Sequence, residues 1–317
     1  MKNNEIAEIN STMNGGNTMN MNEFASTLAE NMERHIGRPI HTDIREVIKV
    51  NDQRRLALVI SEPGITAAPT IYLESFYEEL EGGKTFDDIC EEIKTIYQEN
   101  STGPENMLVS ELEHFDSIKH RICYKLINAS RNKDFLKDIP FVLFENLAII
   151  FYILLDVDSD GSASITVNNK MMKDMWGTTT DELFQLAREN TQHYLPGSIT
   201  SIGNVLSEMM GIDDAEYCDE ASDNLFVCTN ASKVNGAVTM LYDGLLKDFA
   251  RAHHVEQFFI LPSSVHEVLL MPWSEDITVK DLEFMVREVN RTEVAAADYL
   301  SDNVYLYDAA SDQVTLA

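Results

Sequence analysis

FENLAIIFYILLDVDSDGSASITV, residues 144–167, is the stretch whose reading decides the fold. From Phe144 to Val157 the chain is apolar and in part β-branched or aromatic, which predicts one central strand buried on both faces. Asp158-Ser-Asp-Gly161 carries turn chemistry, and Ala163, Ile165 and Val167 alternate as the returning partner strand. A long strand answered at once by its neighbour points to antiparallel pairing.

Working outward, Asn169–Met175 and Thr179–Tyr194 follow as helices, the second opened by a Thr179-x-x-Glu182 capping box and ended by Pro196-Gly197. Leu225–Cys228 predicts a strand, Gly236–Ala250 a helix presenting Val238, Leu241, Leu245, Leu246 and Phe249. Phe258–Leu261 and Val265–Met271 predict two strands, Thr278–Val289 an amphipathic helix, Val294–Leu300 a second short one. Val304–Tyr307 and Val314–Leu316 close as a hairpin. Toward the start, Ile122–Asn128 alternates as a strand, and Phe86, Ile89, Cys90, Ile93, Ile96 and Tyr97 share one helix face after a Thr85/Asp88 cap. Glu74–Leu80 predicts a short helix after the extended Ala68–Leu73. Ile44–Val50 and Leu56–Ile60 flank Asn51-Asp52 as a hairpin, and Phe24, Leu28, Met32 and Ile36 mark a helix stopped by Gly37 and Pro39.

Strands that come partly as hairpins and partly between helices predict an α+β fold with mixed, largely antiparallel sheets and packed amphipathic helices. The Gly/Pro loop Asn100–Asn106 suggests two lobes: an N-terminal α/β lobe over 22–106 and a C-terminal α+β lobe over 107–317. Residues 1–21, rich in Asn, Ser, Thr, Gly and Met, predict a disordered tail in which Met1, Met13, Met19 and Met21 are all possible starts.

The 317 residues carry 53 acids against 24 Lys and Arg, a formal charge of −29. Phosphate backbones and anionic membranes demand clustered cations, so the balance argues against direct nucleic-acid or membrane binding and suits a basic protein partner. Seven acids and no base fall within 207–223. Cys90, Cys123, Cys218 and Cys228 stand far apart with no C-x-x-C pair, so neither a redox nor a zinc motif is spelled. No secretory signal or membrane-length apolar run is read, and the expected location is the cytoplasm.

Several ordered segments carry a resemblance: PTIYLESFYEEL at 69–80, DICEEIKTIY at 88–97, RICYKLINASRN at 121–132, NLAIIFYILL at 146–155, ARENT at 187–191, FILPSSVHEVLLMP at 259–272 and MVREVNRTEVAAADYLSDNVYLYD at 285–308. In these the chain resembles the domain-of-unknown-function family numbered 5688, found in anaerobic gut Firmicutes. The element order around 142–272 is more loosely similar to the family numbered 1444. Neither resemblance implies an activity, cofactor or catalytic residue.

Motifs that look like chemistry each fail at a required position. Asp156, Asp158 and Asp160 before Gly161 open like a calcium loop, but the twelfth position, where a bidentate Glu belongs, is Val167. His266-Glu267 begins like H-E-x-x-H, but the fifth residue is Leu270. Ser263, Ser264, His266 and Glu267 form the densest reactive set and are the catalytic candidates, although no G-x-S-x-G elbow surrounds them. His253 and His254 read as a cationic helix end, and Trp176 and Trp273 as core or hinge aromatics. No cofactor is implied. The leading expectation is a non-catalytic cytosolic binding or regulatory protein with an acidic surface. The alternatives are a hydrolase-like enzyme of unfamiliar design using 263–267, and an acidic mimic of nucleic acid.

Overall fold

Nine residues on each side of the Asn51-Asp52 turn pair antiparallel, β1 (His41–Lys49) with β2 (Gln53–Ser61). Asn51 and Asp52 both take positive φ, which their short side chains tolerate, so the turn legible in the sequence forms. The computed structural model describes residues 19–62, 70–101, 111–158, 161–211 and 224–317. It is an α+β protein whose sheet pairings are all antiparallel among the described residues. The chain divides into two compact units, one of Met1–Lys49 with Gln53–Glu113, the other of Val50–Asp52 with His114–Ala317.

In the first unit β3 (Thr70–Tyr72) joins β2 to make a three-stranded sheet. α1 (Met21–Ile36), α2 (Glu74–Glu81) and α3 (Phe86–Ser101) supply the rest of its core. Phe24, Leu28 and Met32 of α1 meet Leu58 and Ile60 of β2 and Phe86, Ile89 and Ile93 of α3, all buried. α1 starts in a reciprocal cap: Asn20 Oδ1 accepts from the Asn22 and Glu23 N–H groups while Glu23 accepts from the Asn20 N–H. Gly37 ends it in the left-handed conformation. Met19 and Met21 pack on this core, so the end of the expected tail is built into the unit; residues 1–18 lie outside the described residues.

The second unit holds two sheets. One orders β13-β12-β10-β11-β9-β8, built from β8 (Gly197–Ser201), β9 (Phe226–Asn230), β10 (Gln257–Pro262), β11 (Val268–Pro272), β12 (Tyr305–Asp308) and β13 (Gln313–Leu316). The other centres on β6 (Leu147–Asp158), flanked by β4 (Ile122–Asn128), β5 (Phe141–Phe144) and β7 (Gly161–Thr166). The apolar run that reads as one strand over 144–157 is therefore two: Glu145 at φ 51° and Asn146 reverse the chain, so Phe144 pairs with Leu147. The rest of the expectation holds, because β6 is central and β7 returns beside it.

Helices α4 (Thr180–Tyr194), α5 (Ile202–Met210), α6 (Leu245–His253) and α7 (Val279–Thr292) complete the unit. α4 opens with the expected Thr179/Glu182 capping box. Its Thr191 hydroxyl accepts from the Tyr124 N–H of β4 at 2.9 Å, fixing helix to strand. The expected helix over Asn169–Met175 forms, with its last five residues, Met171–Met175, wound as a π turn. Two expectations are corrected. Gly236–Ala250 is a 3-10 segment, Gly236–Leu241, followed by α6, because Gly244 at φ 79° breaks the run. Val294–Leu300 is irregular chain, and β8 and α5 occupy a stretch that carries no clear period in the sequence.

Candidate functional site

The reactive set 263–267 forms the loop between β10 and β11: Ser263 and Ser264 fall in the expected break, whereas Val265–Glu267, expected to begin the second strand, extend the loop. The loop is tied by its backbone: the Ser263 and Ser264 N–H groups both donate to the Glu267 carbonyl, and Val265 N–H donates to the Asp298 carbonyl at 2.8 Å. Thr229 Oγ1 donates to the His266 carbonyl at 2.7 Å. The side chains follow suit. Ser263 Oγ donates to Glu267 Oε1 (3.2 Å), and Ser264 Oγ accepts from the His266 N–H (3.0 Å).

The His266 ring is held from both ends. The Asn235 backbone N–H donates to Nδ1 at 3.3 Å, which fixes the tautomer with its proton on Nε2, facing Asp298 Oδ1 at 3.3 Å. No hydrogen bond joins either serine hydroxyl to the imidazole among the described residues. The structure brings Ser263 to Glu267, and His266 to Asp298, which the sequence did not nominate. Leu270, at the failed fifth position of H-E-x-x-H, is fully buried and pairs with Ile260 and Phe226 across the sheet.

At the calcium-like turn, Asp156 and Asp158 lie at the end of β6, where they pair with Ala163 and Gly161. Asp160 lies outside the described residues, as does most of the acidic run 207–223. Both flanks are strands, where an EF-hand has helices. Val167 is fully buried and its N–H donates to the Phe151 carbonyl at 2.9 Å, so the twelfth position belongs to the core. Burial pushes the thiols of Cys90, Cys123 and Cys228 up to about 12, away from thiolate reactivity. Trp273 is 47% exposed and so is not a core residue, whereas the Trp176 ring packs against Phe115 at 5.7 Å with a 37° tilt.

A depression of about 410 Å³ in the second unit is lined by Arg131, Arg287, Asn290, Arg291, Tyr299 and Asp302. Its walls are fixed by amides. Asn51 Nδ2 donates to the carbonyls of Ala296, Ala297 and Tyr299 at 2.8, 3.1 and 3.0 Å, holding the irregular turn after α7. Asn290 Nδ2 donates to the Ser301 carbonyl and to Asp302 Oδ1, each at 2.9 Å. Asn128 Oδ1 accepts from the Arg131 N–H at 2.9 Å, and its Nδ2 donates to the Leu300 carbonyl at 2.9 Å. The Arg131 guanidinium lies 3.4 Å over the Tyr299 ring. Burial, together with the Asp302 carboxylate beside it, raises the Tyr299 hydroxyl above the usual tyrosine range.

A second depression of the same volume is lined by Phe144, Arg188, Tyr242, Asp243, Tyr307 and Asp312. There the charges cancel: Arg188 pairs with Asp243, and Asp312 takes Lys247 and the Tyr307 hydroxyl. The sequence nominated none of the arginines. Arg287 and Arg291 stand one turn apart on α7, a legible spacing, but Arg131 joins them from a turn 156 positions earlier.

Fold and side chains together define an α+β protein of antiparallel sheets with an arginine-lined depression in a strongly acidic chain. The chain belongs to the family of unknown function DUF5688, whose sequence model matches residues 21–309. No curated protein and no solved structure matches it. Among the described residues no helix is long and apolar enough to cross a membrane.

Proposed function

We propose that the protein is a non-catalytic cytoplasmic binding protein whose acidic surface engages a cationic protein partner. The observation that supports this is how the basic side chains are used. Twelve of the 24 Lys and Arg side chains, Lys84 and Arg188 among them, already pair with a carboxylate of this same chain. The excess charge is carboxylate, and such a field steers a cationic surface toward it. A hydrolase built on 263–267 draws less support, because both His266 nitrogens already have partners and neither is a serine.

Affinity capture from native lysate at low and high salt, with mass spectrometry of the retained proteins, tests the reading. The expected result is a retained set rich in Lys and Arg that falls away as salt shortens the Debye length from about 10 Å at 0.1 M to about 3 Å at 1 M. Capture that is empty at low salt, or unchanged by salt, counts against it. Alanine at Ser264, His266 and Glu267 should leave the captured set unchanged.

A further inference from the structure

We propose that the depression lined by Arg131, Arg287 and Arg291 is a binding site for a small phosphate ester. It stands apart from the partner reading, since it uses the basic side chains rather than the acidic surface. Seven of the eleven arginines pair with a carboxylate: Arg38, Arg45, Arg54, Arg55, Arg188, Arg251 and Arg291. Of the four that pair with none among the described residues, Arg131 and Arg287 line this one depression.

Of the carboxylates nearby, Glu288 pairs with Arg291 at 2.9 Å within a single helix turn, and Asp302, which accepts from the neutral Asn290 amide, is the one charged acid in the lining. Two guanidiniums therefore remain to face a ligand, with Arg291 able to exchange a solvent-exposed partner for a better one. Stacking on Tyr299 holds Arg131 in place before any ligand arrives, which lowers the entropy lost on binding.

The chemistry selects a phosphoryl group. A carboxylate satisfies one guanidinium fork, whereas a phosphate monoester offers three terminal oxygens and nearly two charges to arginines on separate elements. The charge and volume select a small molecule. A nucleic acid would bring many phosphates within reach of a chain at −29, while a space of about 410 Å³ suits a small ligand.

Isothermal titration of the full chain at constant ionic strength, with ribose 5-phosphate, succinate and potassium chloride as probes, tests this. Ribose 5-phosphate should bind saturably at one site per chain. Arg287→Ala and Arg131→Ala should each weaken it by about tenfold or more. Arg251→Ala, which removes an exposed arginine of α6, should leave it unchanged. Circular dichroism establishes that each variant is folded; Arg287 is exposed on α7, and alanine favours the helix. The proposal is overturned by no saturable heat with ribose 5-phosphate, by tighter binding of succinate, or by an equal loss in Arg251→Ala.

Discussion

Asn51 does two things that no other residue type does together: it holds φ at 62°, and its amide donates to three carbonyls of a segment some 245 positions away. Its backbone N–H also donates to Asn132 Oδ1, whose Nδ2 donates back to Asn51 Oδ1 at 3.0 Å. Asn51→Ala should therefore lower stability by about 2–3 kcal/mol, combining lost hydrogen bonds with left-handed strain. Asn51→Gly loses the bonds but not the conformation, and should recover about 1 kcal/mol of that. Urea denaturation of both variants separates the two causes; equal midpoints would remove backbone strain from the account. Gly236 is constrained differently. A β-carbon there would lie 2.4 Å from the His266 carbonyl oxygen and 2.8 Å from the Asn230 nitrogen, both backbone atoms that cannot swing aside. Gly236→Ala should cost about 3 kcal/mol by forcing the 263–267 loop off β9. A thermal midpoint close to that of the parent chain would show that the loop gives way cheaply.

At the scale of elements, the sequence was most informative where local chemistry decides. The Asn51-Asp52 hairpin, the Thr179 capping box and the period of α3 and α7 each follow from side chains within a few residues of one another. It misled where apolar composition ran through a break. Phe144 to Val157 hides a reversal at Glu145 and Asn146, and Val238 to Phe249 hides the Gly244 kink, because apolar residues on both sides of each break are buried alike. The arginine depression was illegible for a further reason: Arg131 and Arg287 come to line one depression only through tertiary packing. The β12–β13 hairpin carries a prediction of its own. Asp308 sits below the ordinary aspartate range because the Gln257 amide and the Ser311 N–H and hydroxyl donate to it, and Asp312 because the Tyr307 hydroxyl and Lys247 do. Groups depressed in the folded state add stability that is complete above the unfolded value and is lost as pH falls through the folded one. Stability should therefore decline below about pH 4, and Asp308→Asn should flatten that decline while leaving its onset in the same range. Thermal melts from neutral pH downward provide the check; an identical acid limb in the variant would exclude Asp308 as a contributor.

For the whole molecule, charge sets two opposing effects against each other. The ion pairs on the surface stabilise the fold and are weakened by salt, but exposed pairs contribute only about 0–1 kcal/mol each. Several here, such as Arg251–Asp248 and Arg291–Glu288, are partners within one helix turn, which persist in part when the chain is merely helical. Against them stand 29 uncompensated negative charges confined to the volume of the folded chain. Unfolding moves those charges apart, so their repulsion acts wholly against the native state. At about 10 mM salt the Debye length is about 30 Å, comparable with a domain, and every carboxylate feels many others; at 0.15 M it is about 8 Å and only neighbours count. Repulsion should win, and the thermal midpoint should rise by about 5 °C between those two salt concentrations. Sodium and potassium chloride should act alike, because screening depends on ionic strength and not on the cation. A midpoint that falls with salt would mean that the ion pairs, rather than the excess charge, govern stability, and would also weaken the case that free carboxylates dominate the surface a partner meets.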